Sequence, residues 1–243
     1  MRVITNVTNN APSSFQEDRA MQARFFRPLV NDIDFLVEVE KLAWSSVGKN
    51  IEASREKLRA RIESHNHGQS VVLAMINGNA AGSQYAFRFN WDENVDALRS
   101  WDEYTAEGCT DKVHNPQGTT GFLVGVGVVP VFRGIRVNHN LRWSGEYKIS
   151  ELLIAATLDN LFTHDCVRQV IANARIPFYH KHPEMSVDDY CSFRREDGKL
   201  FDPVLRFHER MGAQTLKPVA YSMDDQESLN GGCWVIYRHP FKG

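Results

Sequence analysis

A valine-rich segment in the middle of the chain constrains the fold more than any other stretch. Residues 119–130, TTGFLVGVGVVP, form an apolar run that ends at a proline, as expected of a buried strand. Phe132-Arg133-Gly134 follow, and a helical segment starts at Tyr147. Without residues 135–146, the text VPVFRGYKISELLIAATLDNLF is a continuous strand–turn–helix. The sequence therefore predicts a central strand that leads into a helix through a turn split by twelve residues.

Turn and capping residues predict the other elements. Asn77-Gly78, between two apolar runs, is a strong signal for a two-residue hairpin turn. Asp202, Pro203 and Gly212 mark the cap, first residue and stop of a late helix. The remaining elements are strands at 23–30, 119–130, 166–179, 213–223 and 231–240, and helices at 31–44, 51–65, 95–108, 147–162 and 186–197. This order predicts one α/β domain with a mixed sheet.

The domain is predicted to span residues 23–243, after a flexible tail at residues 1–22 that is polar and lacks periodicity. Its excursions are residues 91–118, 135–146 and 180–200. A hydrophobic fraction of 42% and a net charge of −2 are those of an ordinary globular protein and do not favour nucleic acid as a partner. No apolar run is long enough for a membrane span, and four widely spaced cysteines fit a reducing compartment. We expect a cytoplasmic protein without a metal site, and its oligomeric state stays open.

The split turn has the features of an anion site. The free N–H groups and positive end of a helix N-terminus attract phosphate oxygens. Gly134 lets a ligand approach the backbone, and Arg133 offers a fork of donors. The alternative interpretation, a structural strand-to-helix turn, remains open at this point.

The order of elements and two motifs resemble the GNAT superfamily of acyltransferases. Residues 128–134 are similar to the approach to that family's pyrophosphate loop, residues 149–153 to its exit, and residues 204–213 to its late helix. The resemblance implies a mixed, mostly antiparallel sheet flanked by helices, with a splayed cleft between central strands. It implies coenzyme A, as acetyl-CoA or another acyl-CoA, or phosphopantetheine on a carrier protein. The cofactor-binding residues it implies are Val126, Val128, Arg133, Gly134, Lys148, Ile149 and Ser150.

The insertion is a departure from the family's pattern. Lys148 stands where the family prefers glycine if the twelve residues are removed, and Arg136 and Asn138 occupy the glycine positions if they are kept. Three hypotheses follow for residues 135–146. They form a solvent loop, a basic flap over the phosphates, or an insertion that spoils the site.

The excursion at 91–118 and the segments RIPFYH and FDPVLRFHERMGA resemble longer GNAT domains, found in polyketide loading modules and beside nitrilase-like amidases. The resemblance implies that His208 is the catalytic general acid. The central strand lacks the glutamate that many amine acetyltransferases use as base, so His114 is a candidate replacement. The residues predicted to line the substrate pocket are Trp101, Thr105, Asn173 and Arg175.

Three functions remain open from the sequence. The first is transfer of an acyl group from acyl-CoA to a small-molecule amine or a carrier-protein thiol. The second is decarboxylation of a malonyl-type thioester on an acyl carrier protein, although residues 170–177 lack the threonine of the decarboxylating relatives. The third is a catalytically silent thioester-binding protein.

Overall fold

A computed structural model describes residues 3–6, 22–45, 47, 51–64, 70–139 and 145–240. In these ranges eight strands form one sheet in the order β1-β2-β3-β4-β5-β8-β10-β9, and β6 pairs with β7 in a separate hairpin. The strands are β1 (Val3–Asn6), β2 (Gln22–Phe26), β3 (Ser70–Ile76), β4 (Asn79–Phe89), β5 (Thr120–Val128), β6 (Arg136–His139), β7 (Gly145–Lys148), β8 (Gln169–Arg175), β9 (Gln214–Val219) and β10 (Gly232–Arg238). Neighbours are antiparallel except β5 and β8, which are parallel.

Helices cover both faces of the sheet. They are α1 (Ile33–Trp44), α2 (Arg55–Ser64), α3 (Trp101–Thr105), α4 (Ile149–Phe162), α5 (Val187–Ser192) and α6 (Pro203–Arg210). One core joins Leu36 of α1 and Leu58 of α2 to Phe122 of β5. The other joins Ile154 of α4 and Leu205 of α6 to the opposite side of the same strands. We call these sides the α1 face and the α4 face, and the predicted fold class is confirmed.

Local signals in the sequence acted as expected at two places. Asn77 and Gly78 both have positive φ, 48° and 84°, as the tight turn between β3 and β4 requires. Asp202 caps α6, since its Oδ1 accepts hydrogen bonds from the backbone N–H groups of Val204 and Leu205 at 2.8 and 3.1 Å. The helix predicted at 95–108 was wrong in length, because its helical part ends at Thr105 and Ala106 is already left-handed.

The centre of the sheet opens into a cleft. β5 carries a bulge, since Tyr85 of β4 pairs with Gly125 while Ala86 pairs with Leu123, which leaves Val124 as the extra residue. β5 and β8 pair only over Thr120–Leu123 and Gln169–Ala172, and beyond that point the two strands part. The predicted splayed cleft between central strands is therefore confirmed.

The split turn holds a β-hairpin rather than a loop. β6 and β7 are antiparallel, and β7 runs directly into α4. The side chain of Val137 is fully buried and packs with Ile149 and Leu152. The solvent-loop hypothesis is wrong for the described part of the insertion, because this apolar contact holds the hairpin on the domain. Residues 140–144, with Arg142 and Trp143, lie outside the described residues.

The tail prediction for residues 1–22 is untested over most of its length, because residues 1–2 and 7–21 lie outside the described ranges. Residues 3–6 form β1, which pairs antiparallel with β2.

Candidate active site

A cavity of about 710 Å³ lies where β5 and β8 part, and it is lined from both faces of the sheet. From the α1 face it is lined by Glu40, Trp44, Arg61, Tyr85, Trp101 and Asn173. From the α4 face it is lined by Gln84, Val126, Ser150, Ile154, Phe207 and His208. The cavity therefore passes through the plane of the sheet.

His208, the residue predicted to be the general acid, lies on α6 at the α4 face and lines the cavity. Its ring is buried, and Nδ1 is 2.6 Å from the hydroxyl oxygen of Tyr237 on β10. Burial lowers the pKa of His208 to about 4, so the imidazole is neutral near pH 7. Burial also raises the pKa of Tyr237, so its phenol keeps its proton. A neutral imidazole fixed through Nδ1 presents Nε2 for proton exchange.

The N-terminus of α4 has a capping arrangement of its own. The backbone N–H of Lys148 donates to Glu151 Oε2 at 2.7 Å, and Glu151 Oε1 is paired with Arg210. Ser150 lines the cavity, whereas the predicted ligand Ile149 has its side chain in the core. The side chain of Ile149 packs in the core, so a ligand at this position can meet only the backbone N–H of this residue.

The predicted contributions of Arg133 and Val128 require correction. Arg133 Nε donates to the carbonyl of Val128 at 3.0 Å, and its Nη2 donates to the carbonyl of Ala43 at 2.8 Å. The guanidinium therefore ties the end of β5 to the end of α1. Val126 lines the cavity, and Val128 lies beyond its lining residues. Gly134 has φ of +86° and open space around it, so it is required by the turn rather than by close packing.

The excursion at 91–118 supplies one wall of the cavity. Trp101 lines it and donates from Nε1 to the carbonyl of Val124, the bulged residue of β5, at 2.9 Å. Thr105 is fully buried outside the lining, where Oγ1 donates to the carbonyl of Trp101 and accepts from the N–H of Gly108. Thr105 therefore ends α3 and does not meet a substrate.

Two predicted pocket residues on β8 line the cavity but differ in what they offer. Asn173 Oδ1 accepts from Ser222 Oγ at 2.8 Å, while its buried Nδ2 has no hydrogen-bond partner. Arg175 is paired with Asp225 through two bonds of 2.7 and 2.8 Å, and with Glu227 at 2.9 Å. Arg175 therefore lines the cavity as predicted for a pocket residue, with its Nε and Nη2 donors held by carboxylates of the protein.

The structure does not bring His114 to the cleft. Its Nδ1 accepts from the backbone N–H of Arg88 at 3.2 Å. Arg88 pairs with Gly121, in the stretch where β5 and β8 are still hydrogen-bonded. His114 therefore lies at the closed end of the sheet and is not placed to act as the missing base.

Sequence reasoning missed a buried polar cluster on the α1 face, formed by Glu40, Arg61 and Tyr85. Glu40 Oε2 accepts from the backbone N–H of Ala53 at 3.0 Å, and burial raises the pKa of its carboxyl. The guanidinium carbon of Arg61 lies 4.8 Å from the centre of the Tyr85 ring. The sequence contains one indication of this cluster, because Glu40 falls at helical spacing on the same face of α1 as the apolar residue Leu36.

The described residues contain no group of three or more histidine, cysteine, aspartate or glutamate side chains placed to hold a metal ion. Among the helices of these same ranges, none combines the length and apolar character needed to cross a membrane.

Comparison with known proteins gives a consistent fold assignment. No family model matches the chain. An uncharacterised N-acetyltransferase of Bacillus subtilis (strain 168), YkwB, is 27% identical over 189 residues, which are 77% of this chain and 76% of the relative. A probable hydrolase of the same organism, YhcX, is 28% identical over 201 residues, 82% of this chain. The match spans only 35% of that hydrolase.

Solved structures match over most of the chain. The loading GNATL domain of CurA from Lyngbya majuscula superimposes with a TM-score of 0.71 at 22% identity, covering 89% of this chain and 97% of that domain. The GNAT-like decarboxylase GphF, in complex with isobutyryl-CoA, gives a TM-score of 0.68 at 23% identity, covering 88% and 98%. The chain has the fold of the GNAT superfamily, and among its members it resembles the longer GNAT-like domains.

Proposed function

We propose that this protein transfers an acyl group from an acyl-CoA, or from acyl-phosphopantetheine on a carrier protein, to an amine. One observation carries the proposal. A single cavity crosses the sheet at the splay of β5 and β8, with a neutral buried histidine on one face and a buried carboxylate, Glu40, on the other. Acyl transfer needs such a passage, because the thiol leaves on one side of the carbonyl while the acceptor attacks from another.

The α4 face supplies groups that fit a pantetheine arm and a pyrophosphate. Gln84 Oε1 is buried without a hydrogen-bond partner, and it suits an amide N–H of the arm. Ser150 and the free N–H groups of α4 suit the phosphates, and the positive end of the helix favours their charge. The charge of Arg210 offsets the carboxylate of Glu151 at this position, and the backbone N–H of Lys148 donates to the same carboxylate. Phosphopantetheine on a carrier protein presents the same arm, so both donors remain within the proposal.

The chemistry then needs one attack and one proton delivery. The amine nitrogen attacks the thioester carbonyl, a C–N bond forms, and the C–S bond breaks. With Nδ1–H donating to the hydroxyl oxygen of Tyr237, the neutral His208 keeps Nε2 free, and Nε2 takes the proton that the amine nitrogen loses and delivers it to the departing thiolate. Trp101 holds the bulge of β5 through the carbonyl of Val124, and this fixes the strand against which the thioester lies.

Calorimetry and mass spectrometry together test the proposal. Titration with coenzyme A and acetyl-CoA measures binding, and incubation of acyl-CoA and acyl-carrier substrates with and without amines identifies any amide product. We expect binding in the micromolar range and an amine-dependent product. Binding without any product, across the panel, contradicts transfer and favours the catalytically silent thioester-binding alternative.

Decarboxylation of a malonyl-type thioester is the second candidate, since a structure with the same architecture is described as a decarboxylase. The sequence resemblance implies His208 as the catalytic residue on α6, but β8 presents Asn173 and Ala174 and lacks the threonine that the same resemblance implies for decarboxylation. Carbon dioxide release from malonyl-CoA or a malonyl carrier protein without added amine distinguishes this reaction from transfer.

A further inference from the structure

The buried cluster on the α1 face has hydrogen-bonding capacity that the protein itself does not use. Glu40, Arg61 and Tyr85 are only 5%, 4% and 3% exposed, and all three line the cavity. Charged and polar groups at this depth are normally paired, because a buried unpaired donor or charge costs free energy. Unused capacity of this kind is expected where a cavity wall recognises a polar ligand.

Arg61 is the clearest case. Its Nη2 donates to the carbonyl of Gly108 at 2.9 Å, and its guanidinium stacks over the ring of Tyr85. Its Nε has no hydrogen-bond partner, and the nearby charge of Glu40 acts on it without forming a direct ion pair. Arg175, the other arginine of the cavity, has its Nε and Nη2 paired with Asp225 and Glu227. A fixed guanidinium with an open donor matches a carboxylate.

Two further donors on the same face lack partners. The buried hydroxyl of Tyr85 has no partner at normal hydrogen-bond geometry, although burial and the nearby Glu40 carboxylate raise its pKa, and the buried Nδ2 of Asn173 has no hydrogen-bond partner. Both residues point to the α1 face, since Tyr85 packs with Phe122, and Asn173 lies two residues from Ile171 on β8. The open groups of this face, Arg61 Nε, Tyr85 Oη and Asn173 Nδ2, are therefore all able to donate, as recognition of an anionic oxygen group requires.

Negative charge lies beside these donors. Glu40 has one carboxylate oxygen bonded to the N–H of Ala53. Asp102, Glu107 and Asp224 also line the cavity and outnumber Lys57, the lysine in the lining, whose ammonium group donates to the carbonyl of Glu107. Burial raises the pKa of the Asp102 carboxyl, and so do the negative charges of Glu107 and Asp224. These three carboxylates are therefore close enough to affect one another. A negative wall of this kind attracts an ammonium group.

We propose that the acceptor is a small primary amine that also carries a carboxylate, the amino-acid class, with Arg61 and Tyr85 binding the carboxylate and Glu40 facing the amino group. This inference rests on the proposed acyl transfer. Glu40 takes one proton from the ammonium group and passes it to solvent. The nitrogen loses its second proton as the amide forms, which balances the proton that His208 gives to the thiolate.

Matched acceptors test the inference without any mutation. Amide formation from acetyl-CoA is measured by mass spectrometry and thiol release for amino acids and for the amines that lack only the carboxylate, such as alanine against ethylamine. We expect kcat/KM to be higher for at least one amino acid by about 10²-fold or more, because the amine leaves buried donors unpaired. Equal values across all pairs overturn the inference but leave acyl transfer standing.

Variants of Arg61 test whether this residue causes the preference for amino acids over the matched amines. Arg61→Gln is expected to remove the advantage of the amino acid while leaving coenzyme A affinity unchanged, and Arg61→Lys to restore part of it. The control is Arg55→Gln, an exposed arginine on the same helix that pairs with Asp34. A preference that survives Arg61→Gln overturns the assignment, and circular dichroism confirms that each variant is folded.

If Arg61→Gln does not fold, Arg61→Lys is compared with the unmodified protein instead. An unchanged ratio of kcat/KM between the amino acid and its matched amine then contradicts the role of the guanidinium. If no amine is acylated although acyl-CoA binds, both the inference and the proposed transfer are overturned. That result differs from equal rates with alanine and ethylamine, which count against the carboxylate alone.

Discussion

The ionisable side chains on the two faces of the cleft differ in how completely they are paired. On the α4 face, His208 is bonded to Tyr237, and Glu151 is bonded to Arg210 and to the backbone of Lys148. On the α1 face, Arg61 and Tyr85 keep atoms without partners. A paired network fixes the orientation of a group that acts in the same way in every turnover. Open donors are expected where the bound molecule supplies the partners, so the difference separates the side that handles the thiol from the side that receives the acceptor.

Replacement of His208 tests the paired face and has the largest expected effect. His208→Ala removes the proton donor for the thiolate, and general-acid groups typically contribute about 10²–10⁴-fold in rate. We expect kcat to fall by that range while the dissociation constant for coenzyme A stays the same. Thiol release measures the first quantity, and calorimetry measures the second.

Tyr237→Phe is the matched variant for this test. It keeps the ring in place but removes the hydroxyl that lies 2.6 Å from His208 Nδ1. We expect a smaller loss of kcat than in His208→Ala, because the imidazole remains but its orientation is no longer fixed. Unchanged turnover in His208→Ala contradicts the acid role, and it then assigns the histidine to packing.

The two arginines of the cavity provide a second test of the comparison. Arg175 is bonded to the buried carboxylate of Asp225, whereas Arg61 keeps an open donor. Arg175→Ala leaves Asp225 without its counter-charge, which typically costs about 3–5 kcal/mol of stability. We expect a lower free energy of unfolding in urea with little change in KM of the remaining folded enzyme. A raised KM without a loss of stability contradicts this assignment and restores Arg175 as a substrate ligand.

The pH dependence of stability tests the burial of His208. Its pKa is about 4 in the folded protein, below the ordinary value of 6.5. The unfolded chain therefore binds the proton first as the pH falls. The stability is fully present above pH 6.5 and decreases between about pH 6.5 and 4, by a total of about 3 kcal/mol from this group.

The measurement is urea unfolding at a series of pH values, for the unmodified protein and for His208→Gln. We expect the difference in free energy of unfolding between the two proteins to shrink from pH 7 to pH 4. A constant difference means that the imidazole is protonated as readily in the folded state as in the unfolded one.

The architecture and one face of the site were predictable from the sequence, and the physical reason differs for each part. Asp202, Pro203 and Gly212 act within one helix, so their local signals predicted α6 and the position of His208. Arg61 and Tyr85 are brought together by the packing of α2 on β4, and no local pattern records that contact. The pairing of Arg175 with Asp225 was unpredictable for the same reason, because the two residues lie 50 positions apart in the sequence.

Replacement of Lys148, at the predicted phosphate-binding end of the cofactor site, has the smallest expected effect on coenzyme A affinity. Lys148 is the residue before α4, where the family prefers glycine, and it is half-buried at the helix N-terminus. If the phosphates lie there, Lys148→Gln removes one favourable charge at a partly exposed position, worth about 0.3–1 kcal/mol. We expect the dissociation constant for coenzyme A to rise by roughly 2–5-fold at low salt, and the difference to shrink at high salt because screening weakens the interaction.

Two controls separate this effect from a general charge effect and from a flap. Lys199→Gln removes an exposed lysine paired with Asp197, far along the chain, and is expected to leave the affinity unchanged. Arg136→Gln tests the hairpin, whose Arg136 donates to the carbonyl of Glu146. A loss in both Lys148→Gln and Arg136→Gln supports the basic flap, and a loss in Lys148→Gln alone supports phosphate binding at the helix. A gain in both favours the hypothesis that the hairpin spoils the site. An unchanged affinity in both contradicts the placement of the pyrophosphate at α4, because the helix N-terminus and the hairpin are the two basic elements that the split turn brings together.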